Sequence, residues 1–147
     1  MDLVSSATIL AVHAYATLAM VGLIWFVQVV HYPLYAKVGA NAFAAYHEQH
    51  VQRTTAVVAP FMLVELGCSL WLLAAPDPRY AGWMPWVGVL LLGVIWVSTA
   101  LLQVPSHGRL QAGYTTAAHA FLVRTNWIRT SAWTLRGILC VLPFVPL

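Results

Sequence analysis

Charge is scarce in this sequence. Its 147 residues include seven Lys or Arg and four Asp or Glu, which makes 7% of the chain charged, against about 25% in a soluble globular domain. So few charges could not build an ordinary wetted surface, and the scarcity argues against a soluble enzyme, a nucleic-acid module and a disordered regulator. Cysteine is scarce as well. Cys68 and Cys140 are the only two, and without a CxxC arrangement they offer neither a zinc ribbon nor a thioredoxin-type motif. Short segments of alternating polarity are missing, which excludes barrel strands of about 10 residues. What the chain does have is apolar bulk: 61% hydrophobic residues and a mean hydropathy of +0.79, the composition of a small integral membrane protein.

A bilayer crossing takes roughly 20 residues at about 1.5 Å rise each. Four stretches reach that length: Ala7–Val30, Thr54–Ala75, Met84–Val104 and Trp127–Leu147. Backbone groups in hydrocarbon must be satisfied within the segment, so the expected fold is an all-α integral membrane four-helix bundle forming a single domain over residues 1–147. Trp83, Trp86, Trp127 and Tyr80 lie near segment ends, where amphipathic rings prefer the headgroup level. The first span is not expected to be a cleaved signal peptide, because only Asp2 and no basic residue precedes it. Lys37, Arg53, Arg109, Arg124 and Arg129 flank the two long connections, with Arg79 alone on the other side. This bias predicts a multi-pass protein of the plasma (inner) membrane with both termini outside the cytoplasm. The net charge of +3 then reflects topology and anionic lipid rather than nucleic acid.

The chain also matches itself when shifted by 76 residues, so that segment 31–66 overlies 107–142. The Ala and Leu coincidences are cheap in this composition. His31/His107 and the pairs Arg53/Arg129 and Thr54/Thr130 are scarcer. They suggest two repeated transmembrane hairpins, residues 1–75 and 84–147, related by an axis along the membrane normal. His31 would then meet His107 near that axis, and Arg53 would meet Arg129.

Charges inside a bilayer cost about 2.5–3.5 kcal/mol each and usually face the bundle interior. Glu65 and Arg136 both lie roughly 14–17 Å into their spans, so an ion pair between them is the natural way to avoid two lone buried charges. Gln28 with His31, and Gln103 with His107, share helix faces. Between Pro33 and the second span, Asn41–Arg53 reads as an interfacial amphipathic helix carrying His47, His50 and Arg53 on one face. Folded over the bundle mouth, it would bring His31, His47, His50 and His107 together, ringed by Arg53, Arg129 and Asn126. Neutral imidazoles suit iron, copper or zinc, so these four are the candidate metal ligands, with His47, His50, Asn126, Gln28 and Gln103 as cofactor-binding residues. Iron, copper or haem b are the groups such a set would take, and a cofactor-free site stays open. A di-iron carboxylate centre lacks its glutamates, and HExxH is absent. His13 reads as a hydrogen-bonded core histidine, His119 offers no signal of its own, and Asp77-Pro78 reads as a tight turn.

The stretches His31–Pro33, Val104–His107 and Thr125–Arg136 resemble small bacterial four-helix membrane proteins of the anthrone oxygenase-like family. That resemblance implies oxygen-dependent oxidation of a lipophilic, aromatic substrate without a bound cofactor. It carries over no catalytic residue. The residues themselves suggest a membrane-embedded oxidoreductase in which His31, His107, Arg53, Arg129, Glu65 and Arg136 form the site. The alternatives are a transport or binding protein coupled through Glu65–Arg136, a homo-oligomeric one included, and a structural subunit whose polar residues only lock helices together.

Overall fold

The computed structural model describes residues 3–145, and no strand occurs among them. Four helices form the bundle. Helix α1, Leu3–Phe26, continues through a π-helical turn, Val27–His31, a single α turn, Tyr32–Leu34, and a 3-10 turn, Tyr35–Lys37. Helix α2 is Ala40–Ala74. Helix α3, Met84–Ser98, continues through a second π turn, Thr99–Gln103, into Val104–Gln111. Helix α4 is Thr116–Val141, followed by a 3-10 turn at Leu142–Phe144.

Both π turns precede an X-Pro step, Tyr32-Pro33 and Val104-Pro105. Proline has no N–H to donate, and its ring crowds the carbonyl four residues back, so the helix widens just before it. The widened turns close with Tyr32 N–H to Val27 O and Val104 N–H to Thr99 O. Each extra residue turns the following side chains inward, among them Tyr32, Tyr35 and His107.

Three segments are long and apolar enough to cross a membrane: Ser6–Lys37, Ala40–Ala74 and Met84–Gln111. The expected fourth span, Trp127–Leu147, falls short. Its helix starts earlier, at Thr116, and carries Arg124, Arg129 and Arg136, while residues 146–147 lie outside the described residues. Helix α4 is instead the most internal element. Asn126, Arg129, Thr130, Trp133, Arg136, Gly137 and Cys140 form one buried stripe along it, so these polar residues face protein, while Arg124 is exposed.

The separate interfacial helix expected over Asn41–Arg53 does not form. Those residues are the first third of α2, because no Gly or Pro interrupts the chain between Asn41 and Ala59 and the hydrogen-bond ladder runs straight through. At about 1.5 Å per residue, α2 spans roughly 52 Å, well beyond a hydrocarbon core of about 30 Å. The two π turns lie 72 positions apart, whereas the polar sequence matches lie 76 apart, a difference of about one helical turn.

The connection from α3 to α4 needs Gly113, whose φ of +149° suits no L side chain. Thr115 then caps α4, its hydroxyl accepting from Ala118 N–H at 3.2 Å. At the opposite end the expected tight turn is present. Asp77 accepts from Arg79 N–H, Arg79 Nε and Ser6 Oγ. Bonding to the Arg79 guanidinium holds the Asp77 carboxyl well below the usual range, at about 2.

One buried polar cluster ties all four helices together. Glu65 on α2 accepts from Thr17 Oγ1 at 2.9 Å on α1, and from Trp133 Nε1 at 3.0 Å and Arg136 NH2 at 3.3 Å on α4. Arg136 also donates to Ser69 Oγ, to His13 Nε2 and to the Gly88 carbonyl of α3. The ion pair expected from equal depth is therefore present, and His13 is the core histidine its position suggests. Every donor has a partner, which is the condition for a buried charge pair to be tolerated.

Candidate functional site

The helices pack α1 on α2, α1 on α4 and α3 on α4, while α2 and α3 meet less closely. A cavity of about 530 Å³ fills the gap. Val51, Val58, Met62 and Leu63 of α2 form much of its apolar wall. Leu63 and Val104 are exposed on the outer surface at its edge, so it opens sideways between the two helices. Its inner end is polar, lined by Tyr32, His47, His50, Gln103, His107, Gln111 and Arg129.

The histidines expected together are together, in a different order. His31 does not meet His107. Instead His31 Nε2 lies 2.6 Å from His50 Nδ1, and His47 Nε2 lies 3.0 Å from His107 Nδ1. His50 stands between the pairs, its ring centroid 4.4 Å from His31 and 5.8 Å from His107. Tyr35, fully buried, sets its ring edge-on against His31, His47 and His50. Among the described residues no group of three His, Cys, Asp or Glu side chains is placed to hold a metal ion. The four rings expected as ligands, His31, His47, His50 and His107, spend nitrogens on one another or on Tyr32, Gln111 and Thr54.

Donor chemistry assigns direction to one of these chains. Gln111 Nε2 donates to the Ala44 carbonyl, so Gln111 Oε1 is the atom facing His47 Nδ1 at 2.9 Å. An amide oxygen only accepts, which places the His47 proton on Nδ1 and leaves Nε2 an acceptor. His107 must then donate from Nδ1 and accept at Nε2, where the Tyr32 hydroxyl lies 3.0 Å away. The result is a one-way hydrogen-bond chain, Tyr32 to His107 to His47 to Gln111, along the polar end of the cavity. His119 Nε2 fixes the backbone beneath it by donating to Tyr32 O at 2.7 Å.

The remaining expected site residues divide into groups. Arg129 is 8% exposed and lines the cavity, its guanidinium 5.1 Å from the Trp133 ring and facing the Tyr32 hydroxyl. Arg53 does not meet Arg129. It is exposed and lines a different cavity, with His31, on the α1 side of α2. Gln28 and Asn126 bond to each other at 2.8 Å, and neither is among the residues lining the α2–α3 cavity. Gln103 lines it, held by its Nε2 bond to Thr125. Glu65 and Arg136 sit in the four-helix cluster, which Trp133 joins to Arg129, its N–H edge donating to Glu65 and its ring face meeting the Arg129 guanidinium. Cys68 and Cys140 are free buried thiols. Tyr32, Gln111 and Trp96 were not foreseen. Tyr32, beside His31 and before Pro33, carried the one signal that could have pointed to it.

The fold and site thus define a class, an all-helical bundle with three helices suited to a membrane and a histidine-lined cavity opening between two of them. No family model, curated protein or solved structure matches the chain.

Proposed function

We propose that this protein is a membrane-embedded enzyme of the oxygenase type, acting on a lipophilic substrate that enters from the bilayer between α2 and α3. The observation that carries the reading is the joining of an apolar, sideways-opening cavity to a directed Tyr–His–His relay at its inner end. An apolar wall takes up a lipid-soluble molecule, and positioned imidazoles and phenols move protons. In this reading Tyr32 and His107 exchange a proton with the substrate, His47 takes it on from His107, and Gln111 holds the His47 ring in its tautomer. The resemblance of the Pro-His and Arg-rich stretches to anthrone oxygenase-like proteins favours dioxygen as the oxidant, in the balanced form R₂CH₂ + O₂ → R₂C=O + H₂O.

A version in which His31, His47, His50 and His107 hold iron, copper or haem b requires the paired rings to part. Glu65–Arg136 supports the bundle under this reading, and the biased loop charges keep the long connections cytoplasmic. The test is oxygen uptake by the detergent-purified chain with a panel of lipophilic phenols and activated methylene compounds, alongside an absorption spectrum and elemental analysis. Uptake without metal or a Soret band supports the cofactor-free form. Uptake that tracks metal or haem content supports the other form. No uptake with either overturns the enzyme reading.

A further inference from the structure

Five buried side-chain N or O atoms lack a hydrogen-bond partner among the described residues: Tyr35 OH, Trp96 Nε1, Gln103 Oε1, Asn126 Oδ1 and Arg129 Nε. Three of them, on Trp96, Gln103 and Arg129, belong to side chains that line the α2–α3 cavity. Buried polar groups are paired with few exceptions, and each exception calls for an explanation. Arg129 is the most telling. The two ion pairs among the described residues are Asp77–Arg79 and Glu65–Arg136, so each of those charges is neutralised. Arg129, buried with 8% exposure against 1% for Arg136, has only a phenol and the face of an indole.

We propose that the cavity between α2 and α3 binds a lipophilic organic monoanion, a carboxylate or a phenolate, that serves as the counter-ion of Arg129. The inference rests on the reading of this cavity as the substrate site and names the substrate's chemical class. One negative charge neutralises the guanidinium, whereas a second would be left against Val58 and Met62. Guanidinium favours planar oxyanions, and Arg129 is the cationic side chain that lines this cavity. The second cavity, beside Arg53, has no such orphaned groups, and its arginine is open to solvent or headgroups.

The test uses the full chain in nanodiscs of zwitterionic phosphatidylcholine. Probe retention is measured by mass spectrometry for oleate against oleyl alcohol, and for a chlorinated alkylphenol ionised at the working pH against its methyl ether. The wild type is expected to prefer at least one anion over its neutral analogue by about tenfold or more, the scale set by a buried charge that would otherwise go unpaired. Preference in the first pair alone assigns the site to a carboxylic lipid, and preference in the second alone to a phenol. Arg129→Gln should bring the ratio to near one without weakening the neutral probe, and Arg53→Gln should leave it unchanged. Wild-type ratios near one in both pairs overturn the proposal, as does a preference that survives in Arg129→Gln. The wild-type measurement stands even if the Arg129 variant does not fold. Because no turnover is involved, an anion preference without oxygen uptake upholds this inference and rejects the enzyme reading. Uptake with ratios near one does the reverse.

Discussion

The Tyr32 hydroxyl lies 3.0 Å from His107 Nε2 across 75 positions of sequence. That contact joins the end of the first helix to the third and starts the hydrogen-bond chain that continues through His47 to Gln111. It exists because each helix takes a π turn before a proline, which turns the following side chains toward the interior.

Removing the Tyr32 hydroxyl tests the relay. Tyr32→Phe keeps the ring and deletes the hydroxyl's bonds to His107 and to Arg129, which costs about 2–4 kcal/mol of stability. Turnover, if the relay carries the proton, should fall by about 10²–10⁴-fold. Thermal unfolding in detergent and oxygen uptake measured on the same preparation separate the two effects. An active Tyr32→Phe protein would remove Tyr32 from the mechanism.

The Glu65–Arg136 cluster should behave as a structural clamp. Glu65→Gln leaves Arg136 buried without its counter-ion and should destabilise the bundle by about 3–5 kcal/mol. Replacing both residues by Met should recover most of that loss, since an apolar pair carries no stranded charge. Denaturant titration of the single and double variants measures the difference. A Glu65→Gln protein of normal stability that fails only in transport would favour a charge-coupled path instead.

Two glycines of α3 should respond in opposite ways to alanine. A Cβ at Gly88 would lie 2.7 Å from the Tyr80 hydroxyl, on a side chain only 2% exposed, and 3.9 Å from Arg136 NH1. Neither neighbour has room to yield, so Gly88→Ala should cost about 1–3 kcal/mol. At Gly93 a Cβ meets nothing within 4 Å, and Gly93→Ala should be neutral or stabilising by up to about 1 kcal/mol. Melting temperatures of the two variants provide the check.

Acid should weaken the turn between α2 and α3. The Asp77 carboxyl is held at about 2 by its bonds to Arg79, below an unfolded value of about 3.9. A depressed carboxyl contributes stability that is complete above its unfolded value and is lost as pH falls through the folded one. Asp77→Asn should therefore melt below the wild type at neutral pH, with the gap closing as pH approaches about 2. A gap that persists unchanged in acid would show that the ion pair is not its source.

Much of this architecture was legible in the chain. The four helical stretches, the Glu65–Arg136 pair, the core placement of His13 and the gathering of His31, His47, His50 and His107 at one end all follow from hydropathy, depth and periodicity. The misplacements have physical causes. Polarity in Asn41–Arg53 suggested an interfacial helix, yet polarity does not break a hydrogen-bond ladder, and α2 runs on unbroken from Ala40. Polarity in the fourth stretch marked burial against other helices, because Arg129 and Arg136 of α4 face protein.

Composition alone determined that this chain must hide most of its surface from water, since seven basic and four acidic side chains cannot solvate 147 residues. Spacing alone determined which polar groups share a helix face. Which ring meets which was decided only in the folded bundle, where the π turns rotate Tyr32 toward His107 and the loose contact between α2 and α3 leaves Arg129 beside an open cavity. Such pairings depend on how separate helices rotate and pack against one another, and one helix's periodicity holds no information about its neighbour's phase.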